Sequence, residues 1–155
     1  MTTTATGTDE MPTFPGFEFP VERGKVREFA RAVGCTHPEY VDDPHPVIPP
    51  TWLVTTGHWN PSATHDVDVL DAVGFDIDRL LHGGQSFTFF GEPPRAGTVL
   101  RSEMRIDRTY EKEGRRGGTM RFAELVIAYR DERGALVAEG HTTIIETARP
   151  PRADP

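Results

Sequence analysis

At 155 residues and 17.3 kDa the chain has the length of one domain, and 36% apolar content with 15 glycines and 14 prolines implies many chain reversals and few long helices. No apolar run approaches the roughly 20 residues that span a bilayer, and a single cysteine, Cys35, excludes an internal disulfide framework or a cysteine-rich zinc site. With 24 acidic against 17 basic side chains, a net charge of −7 and no Lys/Arg block longer than Arg115-Arg116, nucleic acid is excluded as a natural partner.

Residues 1–12 read as a polar tail without the basic and apolar regions of a secretory leader, so the expected setting is the cytoplasm. One domain is expected over residues 13–148, with a second tail over residues 149–155. Val26, Phe29, Ala30 and Val33 recur at helical spacing and predict a helix over Val21 to Val33, with Pro20 in its first turn and Gly34 as its stop. Cys35 to Pro50 holds five prolines and reads as a loop. A second helix is expected from Thr51 to about Trp59. Trp52, Leu53, Val54 and Trp59 are spread around it, which marks a buried helix.

From Gly84 onward the period becomes two. Gln85 to Phe90 predicts a short aromatic strand and Pro93 to Gly97 a turn. In Thr98 to Glu111, Leu100, Met104, Ile106 and Tyr110 are expected on one face. Gly114 to Gly118 closes a hairpin. Arg121 to Arg130 follows, with Ala123, Leu125, Ile127 and Tyr129 sharing a face, and Leu136 to Thr147 is the last strand. The fold class is α+β, an antiparallel sheet curled around a central helix.

Five stretches in this order resemble the MaoC-like dehydratase N-terminal domain, a hot-dog fold: Val26 to Gly34, Pro38 to Asp42, Pro49-Pro50-Thr51-Trp52, Leu81 to Phe87 with Pro94 to Thr98, and Gly134 to Glu139. The resemblance implies chemistry on acyl thioesters, carried by coenzyme A or by an acyl carrier protein. In it, water adds reversibly to a 2-enoyl thioester, without a metal or other cofactor. Active relatives carry the pattern Asp-x-Asn-Pro-x-His after the entry helix, where the Asp and the His do the acid–base work. Backbone N–H groups at the start of the central helix are held to polarise the thioester carbonyl.

Laid on this chain without gaps, that pattern puts Cys35 at the Asp position, His37 at the Asn position, Pro38 on the proline and Tyr40 at the His position. Neither a thiol nor a phenol of ordinary pKa replaces the pair at neutral pH. The expectation is a hot-dog subunit without the usual dyad. It would form a homodimer, or a heterodimer with a catalytic hot-dog chain, and would be half of a functional unit. Self-sufficient dehydratase or thioesterase activity, or a non-enzymatic acyl-thioester binding role, are the alternatives.

Candidate catalytic residues are Cys35, His37, Tyr40 and His82. Three of them have a plain structural alternative: a small buried thiol for Cys35, a loop histidine bonded to backbone for His37, a turn residue for His82. Candidate substrate-binding residues are Pro50, Thr51, Trp52, Gln85 and Arg95. Trp52 and Trp59 serve equally as core, and Arg95, Arg115 and Arg116 are either contacts for carrier phosphates or solvated charges. The six histidines lack a metal-ligand spacing, so no metal site is expected.

Overall fold

The computed structural model describes residues 12–59, 65–114 and 118–148, without the side chains of residues 65–68. Both expected tails, apart from Pro12, and Arg115 and Arg116 lie outside the described residues.

Five strands form one antiparallel sheet in the order β1-β3-β4-β5-β2, where β1 is Thr13–Pro20, β2 Leu80–Phe89, β3 Val99–Glu113, β4 Thr119–Arg130 and β5 Leu136–Glu146. Between β1 and β2 run α1 (Arg23–Ala32), α2 (Pro38–Val41), the 3-10 helix η1 (Trp52–Trp59), α3 (His65–Val73) and the short η2 (Ile77–Arg79). Phe19, Val26, Trp52, Leu53, Leu100, Tyr129 and Ala138 join α1 and η1 to the sheet in one buried cluster. Val69 and Leu70 of α3 pack on Ile106, Leu125 and Ala123 further along. The sheet thus curls around its helices, which is the hot-dog arrangement. Among the described residues no helix is long and apolar enough to cross a membrane.

Strand β1 is an element the sequence reading omits. Its three phenylalanines break strict alternation, because one residue too many lies between Phe14, which pairs Met104, and Phe17, which pairs Ser102. The extra residue at Pro15-Gly16 brings Phe14, Phe17 and Phe19 to one face, where all three meet the core. Gly16 is required there, since a Cβ would stand 2.5 Å from the Ser102 carbonyl oxygen. Pro20 therefore closes a strand rather than opening a helix, and α1 begins at Arg23.

A second bulge corrects the reading of β3. Ile106 pairs Leu125 but Arg108 pairs Glu124, so Asp107 is the extra residue. Every side chain beyond it changes face. Tyr110 pairs Phe122 on the outer surface, with rings stacked at 4.8 Å, and is not on the side of Leu100 and Ile106. The face expected for Ala123, Leu125, Ile127 and Tyr129 is the one that meets the helices.

Candidate functional site

Cys35, His37 and Tyr40, which the resemblance lays on the acid–base pattern, follow the end of α1. Gly34 takes φ 73° and lets Gly34 N–H donate to Arg31 O and Cys35 N–H to Ala30 O. Cys35 is left half-buried at this corner. The expected loop from Cys35 to Pro50 contains α2, and His37 is its N-cap: the ring Nδ1 accepts the Glu39 N–H at 3.4 Å. Tyr40 lies 5.9 Å from the His37 ring, centroid to centroid. Arg27 of α1 donates to Asp42 O and ties α2 to α1.

Helix η1 enters from Pro49-Pro50-Thr51. The two prolines lack N–H groups, and Trp52 N–H donates to Pro49 O at 2.9 Å. The Thr51 amide is the donor this entry can offer to a ligand oxygen. The loop that delivers it is clamped: Ile48 N–H donates to Pro94 O, Ala96 N–H to Pro46 O, and Arg95 Nη1 to His45 O at 3.2 Å with Asp43 Oδ2 at 3.8 Å. Arg95 is thus engaged by the loop leading to Thr51.

The 3-10 helix repeats every three residues, and η1 has three distinct faces. Thr51, Val54 and Gly57 are exposed. Leu53 and Thr56 are buried against the sheet, where the Thr56 hydroxyl lies 2.8 Å from Leu53 O and 3.1 Å from Tyr129 OH. Trp52, Thr55 and His58 form the third face. Trp52 is fully buried core, which is one of its two expected roles.

On β2 a bulge again decides the geometry. His82 pairs Ile144 and Gly84 pairs Thr143, so Gly83 is extra and His82 and Gln85 fall on the same, helix-facing side. Gln85 Oε1 stands 3.3 Å from His82 Nε2 and accepts from Thr142 Oγ1 at 2.8 Å. Phe87 and Phe89 follow Gln85 on the same side.

Pro50, Thr51 and Val54 of the η1 entry meet Gln85, Ser86, Phe87 and Phe89 of β2 around a cavity of about 370 Å³. Three of the sequence candidates, Pro50, Thr51 and Gln85, are brought together there. Cys35, His37, Tyr40, Arg95 and Trp52 are not among its lining residues. Sequence reasoning missed Val54, Phe87 and Phe89. The signal was present, since Val54 is three residues from Thr51 in a 3-10 helix and the phenylalanines are two and four from Gln85 in a strand.

The cavity lies along β2, which has no strand beyond it among the described residues. Leu81, Val54 and Phe90 are large apolar side chains left exposed here or close by. The opposite edge is β1, which carries Pro15, Pro20 and a bulge, devices that discourage edge pairing.

A sheet wrapped around its helices, with an apolar cavity beside a helix entry, is the hot-dog fold. The model for the FAS1-like dehydratase domain region matches residues 11–140, and the chain belongs to that family. A UPF0336 protein of Streptomyces griseus is 31% identical over 145 residues, 88% of this chain and 89% of the relative. The C-terminally truncated HadBC (3R-hydroxyacyl-ACP dehydratase) complex of Mycobacterium tuberculosis superposes with a TM-score of 0.66 at 26% identity, covering 86% of this chain and 92% of the other. The ChsH1-ChsH2 complex of the same organism gives a TM-score of 0.66 at 16% identity, over 91% and 86% of the two chains, and is a likeness of fold. The MaoC-like resemblance is borne out by family and fold.

Proposed function

We propose that this chain is a hot-dog subunit of a (3R)-hydroxyacyl-thioester dehydratase or enoyl hydratase system in the cytoplasm, one that lacks the usual Asp/His dyad and supports a catalytic partner chain. The observation that carries the proposal is the pairing of a lost dyad with a kept cavity. Cys35 and Tyr40 stand where the acid–base residues belong, while Thr51, Val54, Gln85, Phe87 and Phe89 line an apolar cavity on the open β2 edge. Pairing β2 with the edge strand of a second hot-dog chain covers Val54 and Leu81 and extends the sheet. The partner supplies the base and the acid. This chain supplies the apolar wall for the acyl group and, at Thr51, an amide for the thioester carbonyl. The relatives solved as complexes, HadBC and ChsH1-ChsH2, support a two-chain assembly.

The test is co-expression with a hot-dog chain that carries Asp-x-Asn-Pro-x-His intact, such as one encoded beside this one. The pair is expected to co-purify and to hydrate a 2-enoyl-CoA or a 2-enoyl carrier-protein thioester. Val54→Arg, which places a charge on the covered face, is expected to abolish both. Co-purification and activity unaffected by Val54→Arg would contradict the assembly.

One observation favours a second reading, a self-sufficient thioester enzyme. His82 Nε2 lies 3.3 Å from Oε1 of Gln85, which lines the cavity. On that reading the chain turns over a thioester alone and His82→Ala removes the activity.

A further inference from the structure

The large apolar side chains left exposed gather on one margin of the molecule. Among the described residues there are five, and four of them lie on or beside β2: Ile77 in η2 just before it, Leu81 within it, Phe90 just after it and Val54 across the cavity. The fifth, Val33, stands at the end of α1. An apolar margin along a strand with an open side is a surface for a second strand. The free charges at its two ends are of one sign. Asp78 lies two residues before β2 and Glu92 three residues after it; both are exposed, and neither carboxylate has an ion-pair partner among the described residues. Between them, Arg79 and His82 are the only side chains that titrate. The cations nearest in sequence are turned elsewhere: Arg79 holds Glu146 at 2.6 Å and Asp76 at 3.2 Å, and Arg95 faces Asp43 at 3.8 Å. Glu139, which pairs Thr88 from β5, adds another carboxylate, 2.9 Å from His141.

We propose, on the reading of β2 as the contact edge, that Asp78 and Glu92 select against a second copy of this chain and for a different hot-dog chain whose edge strand is flanked at both ends by Lys or Arg. When two copies pair through β2 with full overlap, antiparallel or parallel, each end of one strand meets an end of the other, and carboxylate faces carboxylate at both. Like charges opposed across a strand pair are destabilising, and opposite charges in the same places are stabilising. The apolar margin is the same for either partner, so the charged ends make the choice between them.

A basic-ended copy of the chain serves as the probe. Asp78→Lys with Glu92→Lys reverses both ends, and because both positions are exposed, circular dichroism is expected to match that of the natural chain. Sedimentation equilibrium of the full chains at low salt is expected to show a mixed pair, one natural and one reversed, about tenfold tighter than either chain with itself. High salt is expected to erase that difference. Neutral ends, Asp78→Asn with Glu92→Gln, are expected to tighten self-association about threefold over the natural chain, because repulsion is lost and no attraction replaces it. Equal dissociation constants for the natural, reversed and mixed samples overturn the inference, and so does a preference that high salt leaves intact. A mixed pair that survives Val54→Arg in both chains overturns it too, since the contact then lies away from β2. Failure to co-purify with an Asp-x-Asn-Pro-x-His chain counts against the proposed function and not against this preference, and equal dissociation constants do the reverse.

Discussion

Tyr129 ties the sheet to η1 through its hydroxyl, which lies between Thr56 Oγ1 at 3.1 Å and Leu53 O at 3.4 Å. Burial pushes its pKa up to about 12, with the Thr56 hydrogen bond acting weakly in the opposite direction. Below pH 10 folded and unfolded chains both hold the phenolic proton, and the stability linked to it is fully present. As the pH rises from 10 toward 12 the unfolded chain ionises first and that stability is lost. The gap corresponds to about 3 kcal/mol. Denaturant midpoints measured from pH 9 to 12 should therefore fall steeply for the natural chain and less steeply for Tyr129→Phe. A second buried polar group, Glu146, is held by Arg79 Nη2 at 2.6 Å, Arg121 Nη1 at 3.1 Å and Asp76 N–H at 2.8 Å. It joins η2, β4 and β5, and Arg121 also caps α3 by donating to Val73 O and Gly74 O. Glu146→Gln keeps the shape and leaves two guanidinium groups facing a neutral amide. A loss of about 3 kcal/mol is expected, read as a fall in melting temperature of roughly 10 °C.

Within η1, neighbouring residues meet opposite surroundings. Leu53 is buried under the sheet and Val54 is 52% exposed on the cavity side. Leu53→Ala is expected to cost about 2–5 kcal/mol by leaving a cavity in the core, and Val54→Ala within about 0.5 kcal/mol; chemical denaturation of the two variants distinguishes them. Elements with an unbroken period were legible in the sequence: α1 from its stripe at Val26, Phe29 and Ala30, and β4 from its alternation. Elements carrying a bulge were legible only in part: β3 was read over nearly its whole length and β2 over its second half, but not the geometry at the bulges. The extra residues at Pro15-Gly16, Gly83 and Asp107 hid β1, concealed that His82 and Gln85 share a face, and put Tyr110 on the wrong side. A bulge is set by pairing with a distant strand, and local periodicity carries no trace of it. Helix α3 also escaped notice, although Val69, Leu70 and Val73 fall at helical spacing and pack into the core.

For the whole molecule, the two edges of the sheet differ in kind. β1 bears two prolines besides its bulge, whereas β2, bulged at Gly83, is a ten-residue strand without proline beside an apolar cavity. The motif order led to Pro50, Thr51 and Gln85 from the sequence. What joins them, a sheet edge left open beside a 3-10 helix, required the strand order. On the proposed assembly the modest apolar content gains a meaning: side chains such as Val54 and Leu81, exposed in the single chain, would be covered by a second one. The account's central claim is that the kept cavity works without an acid–base pair of its own. Its most direct test is the rate at which the purified chain alone hydrates crotonyl-CoA and longer 2-enoyl-CoA thioesters. The account predicts turnover at the level of the uncatalysed reaction, and hydration by the isolated chain at the rate of a complete hydratase would contradict it.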